Sequence, residues 1–334
     1  MKILITGGYG NISWWCTKRA LELGHEVYIL NREQTTSTRR EIPSDAVLIK
    51  ADYRNFEETK LAIQPYSFDV VCDFLCQGTE HAQIAYELFK NKTGQYILIS
   101  TESVFKRGGV ISENSPKYTE LEASPYILGK LQSEHFFREK LKNEKFPLTI
   151  VRPGYTLDTI LPYSIGYNCY TIADRYLNGK PILIAGDGNN RWTFTHSSDF
   201  AEAFVSLVGV KDTIGEDFNI TGDNVSTFNE IMSIMAQALA DKEPNLLHIP
   251  SCDCLELSQF MVRDLMQQRL DDAIFDNSKI KSIASGWKTQ YNSEKIVLST
   301  LMWLNEDVRR KRISKDLDNK LEVLTDKYIG LGVN

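Results

Sequence analysis

Lys2-Ile3-Leu4-Ile5-Thr6-Gly7-Gly8-Tyr9-Gly10-Asn11-Ile12-Ser13 opens the chain: an apolar run breaks into glycines and then into a helical pattern. The order strand, glycine turn, helix has a physical use. Glycine permits the tight turn and lets main chain approach a pyrophosphate, while the N–H groups at the helix start face the anion. Gly7, Gly10, Asn11 and Ile12 are therefore expected to hold the phosphates of a dinucleotide. The third small position of the motif is Ser13, which still allows close helix–strand packing.

Outward from this stretch the alternation repeats. Further strands are expected at Glu26–Leu30, Ala46–Lys50, Asp69–Asp73, Gln95–Ser100 and Leu148–Val151. Helices are expected at Asn11–Leu23, Phe56–Ile63, Glu80–Lys90 and Ser124–Lys142. Strands that are apolar throughout, separated by amphipathic helices, imply an α/β fold: a doubly wound, Rossmann-like parallel sheet covered on both faces, with ligands at its carboxyl ends. After residue 152 the rhythm changes. Residues 154–200 are rich in Tyr, Gly, Asn and Asp, Phe228–Ala240 is helical in pattern, and a charged helical tail starts at about residue 297. The expected division is a dinucleotide-binding domain over 1–152, plus returning segments. Residues 153–334 then form mostly a smaller substrate-binding lobe and C-terminal helices.

The 334 residues are 42% hydrophobic and 25% charged, which excludes disorder and fits a soluble globular protein. Forty-four acids against 38 Lys+Arg give a net charge of −6, which repels phosphate backbones and argues against nucleic acid as a partner. No apolar run approaches the ~20 residues that span a bilayer, so no membrane partner is expected. The first strand begins at Lys2 without the apolar stretch of a secretory leader, and a cytoplasmic protein is expected. Six cysteines make no disulfide framework, and Cys252-x-Cys254 has no second pair at zinc spacing, so no metal is expected.

The second strand ends in Asn31-Arg32. An acid there would take the ribose hydroxyls of NAD, whereas arginine suits a 2′-phosphate; with Arg39 and Arg40 nearby the pattern favours NADP, with NAD as the alternative. Asp52, after the third strand, is placed to reach the adenine edge. Tyr126 and Lys130 stand at i and i+4 and share one helix face. A nearby ammonium favours phenolate, which makes Tyr126 a candidate acid/base for a substrate hydroxyl. Thr101, just after the fifth strand, is placed to hydrogen-bond the same oxygen.

Together these elements resemble the extended short-chain dehydrogenase/reductase family, the NAD-dependent epimerase/dehydratase group, over roughly residues 1–300. The resemblance rests on T-G-G-x-G-x-I at 6–12, S-T-x-S-V-F at 100–105, Y-x-x-x-K at 126–130 and V-R-P-G at 151–154. It continues through Gly186-Asp187-Gly188, the stretch Phe194 to Ala201, and Phe218-Asn219-Ile220. It implies a catalytic triad of Thr101, Tyr126 and Lys130, and a nicotinamide cofactor with Tyr53, Leu75, Cys76, Lys130 and Pro153 around it. It also implies sugar or nucleotide-sugar substrates oxidised to a transient keto sugar, and a homodimer through the helices at 80–91 and 124–142.

Two departures bear on substrate and reaction. Members acting on nucleotide sugars usually carry a diphosphate-gripping arginine two residues before the Phe-x-His motif. Here that place is Trp192, and Arg191 is displaced by one. Similar dehydratases carry an acid before the Val-Phe; here the pair is Glu102-Ser103, with Glu102 the candidate acid. Tyr155, Asp158, Tyr163, Tyr167 and Asn168 form a polar-aromatic segment suited to sugar faces. Cys76 reads as a spacer, and His196 as a loop-orienting residue. The expected function is an NAD(P)-dependent epimerase of a sugar, with a nucleotide sugar as the leading case. An NADPH-dependent reductase or a nucleotide-sugar dehydratase is the alternative. A nicotinamide-nucleotide-binding regulatory protein is the non-enzymatic reading.

Overall fold

Lys2–Thr6 (β1) pairs in parallel with Glu26–Asn31 (β2), which pairs with Val47–Lys50 (β3). On the other side of β1 lie Phe68–Asp73 (β4) and Thr93–Ile99 (β5). A two-residue strand, Val110–Ile111 (β6), precedes Leu148–Pro153 (β7), which joins β5. Three short strands follow at Tyr155–Leu157 (β8), Ile182–Ala185 (β9) and Arg191–His196 (β10). Asp217–Ile220 (β11) then returns to the main sheet beside β7. The seven strands run β11-β7-β5-β4-β1-β2-β3, all parallel. The order reverses between β1 and β4, and the crevice above that switch point is where such sheets bind ligands. The structure is a computed structural model and describes residues 1–32, 39–164, 168–240, 242–255 and 269–330.

Helices cover both faces, as the uninterrupted apolar strands require. Ser13–Glu22 (α1) lies on one face. Phe56–Ala62 (α2), Gly78–Phe89 (α3) and Pro125–Glu144 (α4) belong to the other. After Tyr170–Leu177 (α5), Ser197–Val205 (α6) packs beside α1, where Cys16, Ala20, Phe200 and Phe204 meet Ile3, Ile5 and Val70. On the opposite face Tyr86, Phe89 and Phe137 of α3 and α4 close over Leu4, Tyr96 and Leu98. α4 begins because Ser124 accepts from the Ile127 N–H at 3.4 Å with Pro125 next. It runs on to Glu144 and stops at Lys145, whose left-handed φ of 55° caps it. α1 starts at Ser13, two residues later than the sequence pattern indicates, because the glycine turn extends through Ile12.

The lobe above the sheet is built from short strands that the sequence pattern does not reveal. β8 pairs with β10, and β10 with Asn224–Thr227 (β12). Beyond Phe228–Ala240 (α7), Leu246–Ile249 (β13) pairs with β9. Ser251–Leu255 (α8) follows, and Ile274–Phe275 (β14) pairs with β6. After Ser278–Ile283 (α9), the charged tail forms Ser293–Asn305 (α10) and Lys315–Gly330 (α11). No helix among the described residues is long and apolar enough to cross a membrane.

Candidate active site

The glycine turn needs its glycines. Gly7 and Gly8 have φ of +86° and +61°, and a Cβ on Gly8 would stand 2.5 Å from Ile29. Ser13 Oγ accepts from the Gly10 N–H at 3.0 Å, so the serine ties the turn to the helix. Ile12, at the N-cap of α1, offers no side-chain acceptor to the first-turn N–H groups. This cradle fits the pyrophosphate of a dinucleotide.

Around it, several side chains predicted from sequence have structural partners. Asn11 donates to the Thr156 carbonyl at 2.9 Å and accepts from the Thr159 N–H at 2.9 Å, which joins the turn to the segment after β8. Asn31 donates to the Gly7 carbonyl at 2.8 Å and accepts from the Tyr9 hydroxyl at 2.7 Å. Tyr53 is buried and donates to Asp73. Leu75 is half-exposed and packs against Gly7. Arg32 is exposed and lies 3.6 Å from Asp52, whose carboxyl Arg54 holds below the usual range through a two-point hydrogen bond. Arg39 lies over the Tyr9 ring. Arg40 turns away to grip the buried Asp158 at 2.9 and 2.7 Å and stacks on Trp303.

A cavity of about 620 Å³ opens at the carboxyl ends of β5 and β7. Thr101, Tyr126 and Lys130 all line it, together with Ile12 from the glycine turn and Pro153 from the end of β7. Tyr126 is 44% exposed and sits at the start of α4; Lys130, one turn on, is buried. The Lys130 ammonium donates to the carbonyls of Cys76 and Ile99, each at 2.9 Å. Burial holds its pKa below the ordinary lysine value, while the neighbouring Cys76, Asp73 and Glu134 push it back up. Thr101 Oγ1 accepts from the Ser103 N–H and so caps the short turn Glu102–Val104.

Glu102 also lines the cavity, but its oxygens are engaged. Arg107 ion-pairs with it and the Ser103 hydroxyl donates to it at 3.1 Å. Cys76 is fully buried, and burial together with Asp73 pushes its thiol up to about 12, which makes it no nucleophile at neutral pH. Its main chain, not its sulfur, touches the site's lysine. His196 caps α6 by accepting from the Ser198 N–H and stacks on Tyr291 at 3.7 Å; burial lowers its pKa to about 4.

Tyr155, Trp192 and Ser164 line another wall of the cavity with Arg269. Arg269 is buried among Tyr155, Tyr163, Trp192 and Phe228, with its Cζ 5.2 to 5.9 Å from the ring centroids. Arg191 points elsewhere: its side chain is 60% exposed and forms two hydrogen bonds to Asp272. Asn168 is exposed ahead of α5, where its carbonyl accepts from Thr171, and it does not line the cavity. Tyr167 lies outside the described residues. Sequence reasoning missed Arg269, Arg107 and Asp73. Ala273, four residues after Arg269, bridges to Trp192 beside the cavity, and no local motif marks Arg269. Among the described residues no cluster of three or more His, Cys, Asp or Glu could hold a metal ion.

A model of the NAD dependent epimerase/dehydratase family matches residues 3–221. The chain is 25% identical to the chloroplast stem-loop binding protein of 41 kDa b from Arabidopsis thaliana, over 74% of this chain and 65% of that protein. It is 28% identical to dTDP-glucose 4,6-dehydratase from Haemophilus influenzae, over 64% of this chain and 62% of that enzyme. The match thus spans slightly less than two thirds of either relative. Among solved structures, UDP-glucuronic acid 4-epimerase from Bacillus cereus, in complex with UDP-glucuronic acid and NAD, superposes with a TM-score of 0.71. The identity is 22%, over 92% of this chain and 99% of that one. UDP-glucose 4-epimerase from Thermotoga maritima gives 0.71 at 18% identity, over 92% and 99% of the two chains. At these identities the likeness shows a common fold.

Proposed function

This chain belongs to the NAD-dependent epimerase/dehydratase family, and from that premise we propose that it epimerises a sugar carbon, with a nucleotide-linked sugar as substrate. One observation carries the reading: Thr101, Tyr126 and Lys130 line a single cavity that also reaches Ile12 of the glycine turn. A nicotinamide dinucleotide, when bound, supplies hydride acceptance and return. The chain's own residues supply the proton chemistry. Tyr126 takes the proton of the sugar hydroxyl and later gives it back, Lys130 favours the phenolate, and the Thr101 hydroxyl holds the reacting oxygen. Tyr155 and Trp192 offer apolar surface to a sugar ring, and Arg269 offers a guanidinium to an anionic group. The engagement of Glu102 by Arg107 and Ser103 favours epimerisation over dehydration, which needs an acid or base at the adjacent carbon.

The test is incubation with NAD or NADP and a panel of UDP- and dTDP-sugars, with products resolved by NMR. A sugar of inverted configuration with no net change in nicotinamide absorbance supports the proposal. Continuous NADPH consumption identifies a reductase, and a product lighter by one water a dehydratase. No conversion, with tight cofactor binding, identifies a binding protein. The last outcome would turn attention to the stem-loop binding of the Arabidopsis relative.

NADP is the cofactor proposed. The tip of β2 carries no acid, because Asn31 is tied to Gly7 and Tyr9 and Arg32 follows it. Arg32→Ala is expected to weaken NADPH binding about tenfold, the loss of one charge-assisted contact, and to leave NADH unchanged. Fluorescence titration measures both, and equal affinities before and after the change would assign the site to NAD. The proposed homodimer uses α3 and α4, and sedimentation velocity tests it.

A further inference from the structure

Asp73 ends β4 at the switch point of the sheet, fully buried, outside the triad. Its carboxylate accepts five hydrogen bonds. Thr6 Oγ1 at 2.8 Å and the N–H groups of Leu75 at 2.9 Å and Cys76 at 3.1 Å reach Oδ1; the hydroxyls of Tyr96, at 2.5 Å, and Tyr53 reach Oδ2. Thr6 in turn accepts from the Phe74 N–H at 3.0 Å. Three successive N–H groups, at Phe74, Leu75 and Cys76, are therefore pinned to β1 and the end of β4. All five donors to Asp73 are neutral, so no cation hydrogen-bonds to it. The Cys76 residue whose N–H meets Asp73 presents its carbonyl to the Lys130 ammonium at 2.9 Å. Two of the three ammonium protons go to the Cys76 and Ile99 carbonyls, and the third remains for the cavity that Lys130 lines.

We propose that Asp73 is the positioning residue for Lys130: a buried anion that fixes the Phe74–Cys76 turn, whose Cys76 carbonyl receives the ammonium, and that acts through space as the counter-charge of that ammonium beside Tyr126. This rests on the proposed function only in giving Lys130 a catalytic use; the placement itself does not depend on it. A buried ammonium held by two neutral carbonyls is favoured by a nearby counter-charge. The groups that face this centre are few. Glu134, four residues along α4 from Lys130, is already gripped by Arg152 and Lys117. Tyr53, Tyr96 and Cys76 are uncharged with pKa values pushed up by burial, and His81 lies edge-on to the Tyr53 ring. Asp73 is the anion among them that no cation grips.

Asp73→Asn keeps the shape and removes the charge. The full chain, labelled with ¹⁵N-lysine, reports the Lys130 ammonium as the Nζ signal lost in Lys130→Met. Its titration midpoint is expected to fall by about one pH unit or more in Asp73→Asn. Thr6→Val loosens the same turn but keeps the carboxylate, and is expected to leave the midpoint in place. Equal midpoints in wild type and Asp73→Asn, or an equal fall in Thr6→Val, overturn the proposal. Should Asp73→Asn fail to fold, Tyr53→Phe removes a donor and keeps the charge; its midpoint is expected to hold or rise, and a fall overturns the proposal. None of these readings requires turnover, so failure of the epimerase reading leaves them intact.

Discussion

Tyr126→Phe is expected to lower turnover roughly a hundred- to ten-thousand-fold while cofactor affinity stays within twofold of wild type, the range expected for loss of a positioned acid/base. The two effects separate because the structure separates them. In the proposed mechanism the Tyr126 hydroxyl takes and returns the proton, whereas Lys130 is held by the carbonyls of Cys76 and Ile99. Removing the hydroxyl leaves that lysine, the glycine turn and the cavity wall in place. The ring is 44% exposed, so the change opens no core cavity, and thermal stability is expected to stay within about 1 °C. Steady-state rates with the sugar identified by the substrate panel, beside cofactor titration, check it. Retained turnover would remove Tyr126 from the mechanism; a parallel loss of cofactor binding would show that the phenol holds the dinucleotide.

The main sheet was legible in the sequence because β1, β4, β5 and β7 are apolar along most of their length and the helices α1, α2, α3 and α4 punctuate them; β11 was legible only as a motif and not as a strand. The lobe was not. β8, β9 and β10 are three to six residues long, lie in a stretch dense with Tyr, Gly and Asn, and owe their burial to partners distant in sequence. The two arginines make the same point at one residue's resolution. Side chains alternate along a strand, so Arg191, next to Trp192 on β10, faces the opposite way and meets Asp272. The guanidinium that does line the cavity comes from Arg269, seventy-eight positions on by residue number, and tertiary structure alone delivers it. Tyr53 and Asn31 show the limit for cofactor residues. Strand-end position predicts which loop a side chain belongs to, but the Asp73 carboxylate and the Gly7 carbonyl decide where each points. The proposed triad was easier to place on one cavity, because i and i+4 on a helix fixes two of its members relative to each other before any tertiary contact forms.

Behind the triad lies a buried ion cluster whose loss is expected to have the largest effect on stability. Glu134 Oε1 and Oε2 each accept from Arg152 at 2.7 Å, Lys117 donates at 2.7 Å, and the Ser100 hydroxyl at 2.6 Å. Arg152 also reaches Asp217 at 2.7 Å on β11, so one carboxylate and one guanidinium join α4, β5, β7 and β11. Burial alone would raise the Glu134 pKa; Arg152 and Lys117 outweigh it and hold the carboxyl down at about 2. Arg152→Met leaves the buried Glu134 without its main partner, while the half-buried Asp217 keeps Arg138, and the expected cost is about 3–5 kcal/mol. The pH dependence distinguishes this from a simple packing defect. A carboxyl whose folded pKa lies below its unfolded value near 4.5 contributes stability that is full above 4.5 and is lost as pH falls through 2. That contribution is about 3 kcal/mol in wild type at neutral pH. In Arg152→Met burial dominates, Glu134 takes up its proton more readily, and the contribution is absent. The stability gap between the two proteins, measured by urea unfolding, should therefore be widest at neutral pH and narrow steadily below pH 4.5. A gap constant with pH would mean that Arg152 matters for its volume and not for its charge. Because Ser100 immediately precedes Thr101, the same variant is expected to lose turnover beyond what its unfolded fraction explains, which would link the ion cluster to the placement of the threonine proposed to act in catalysis.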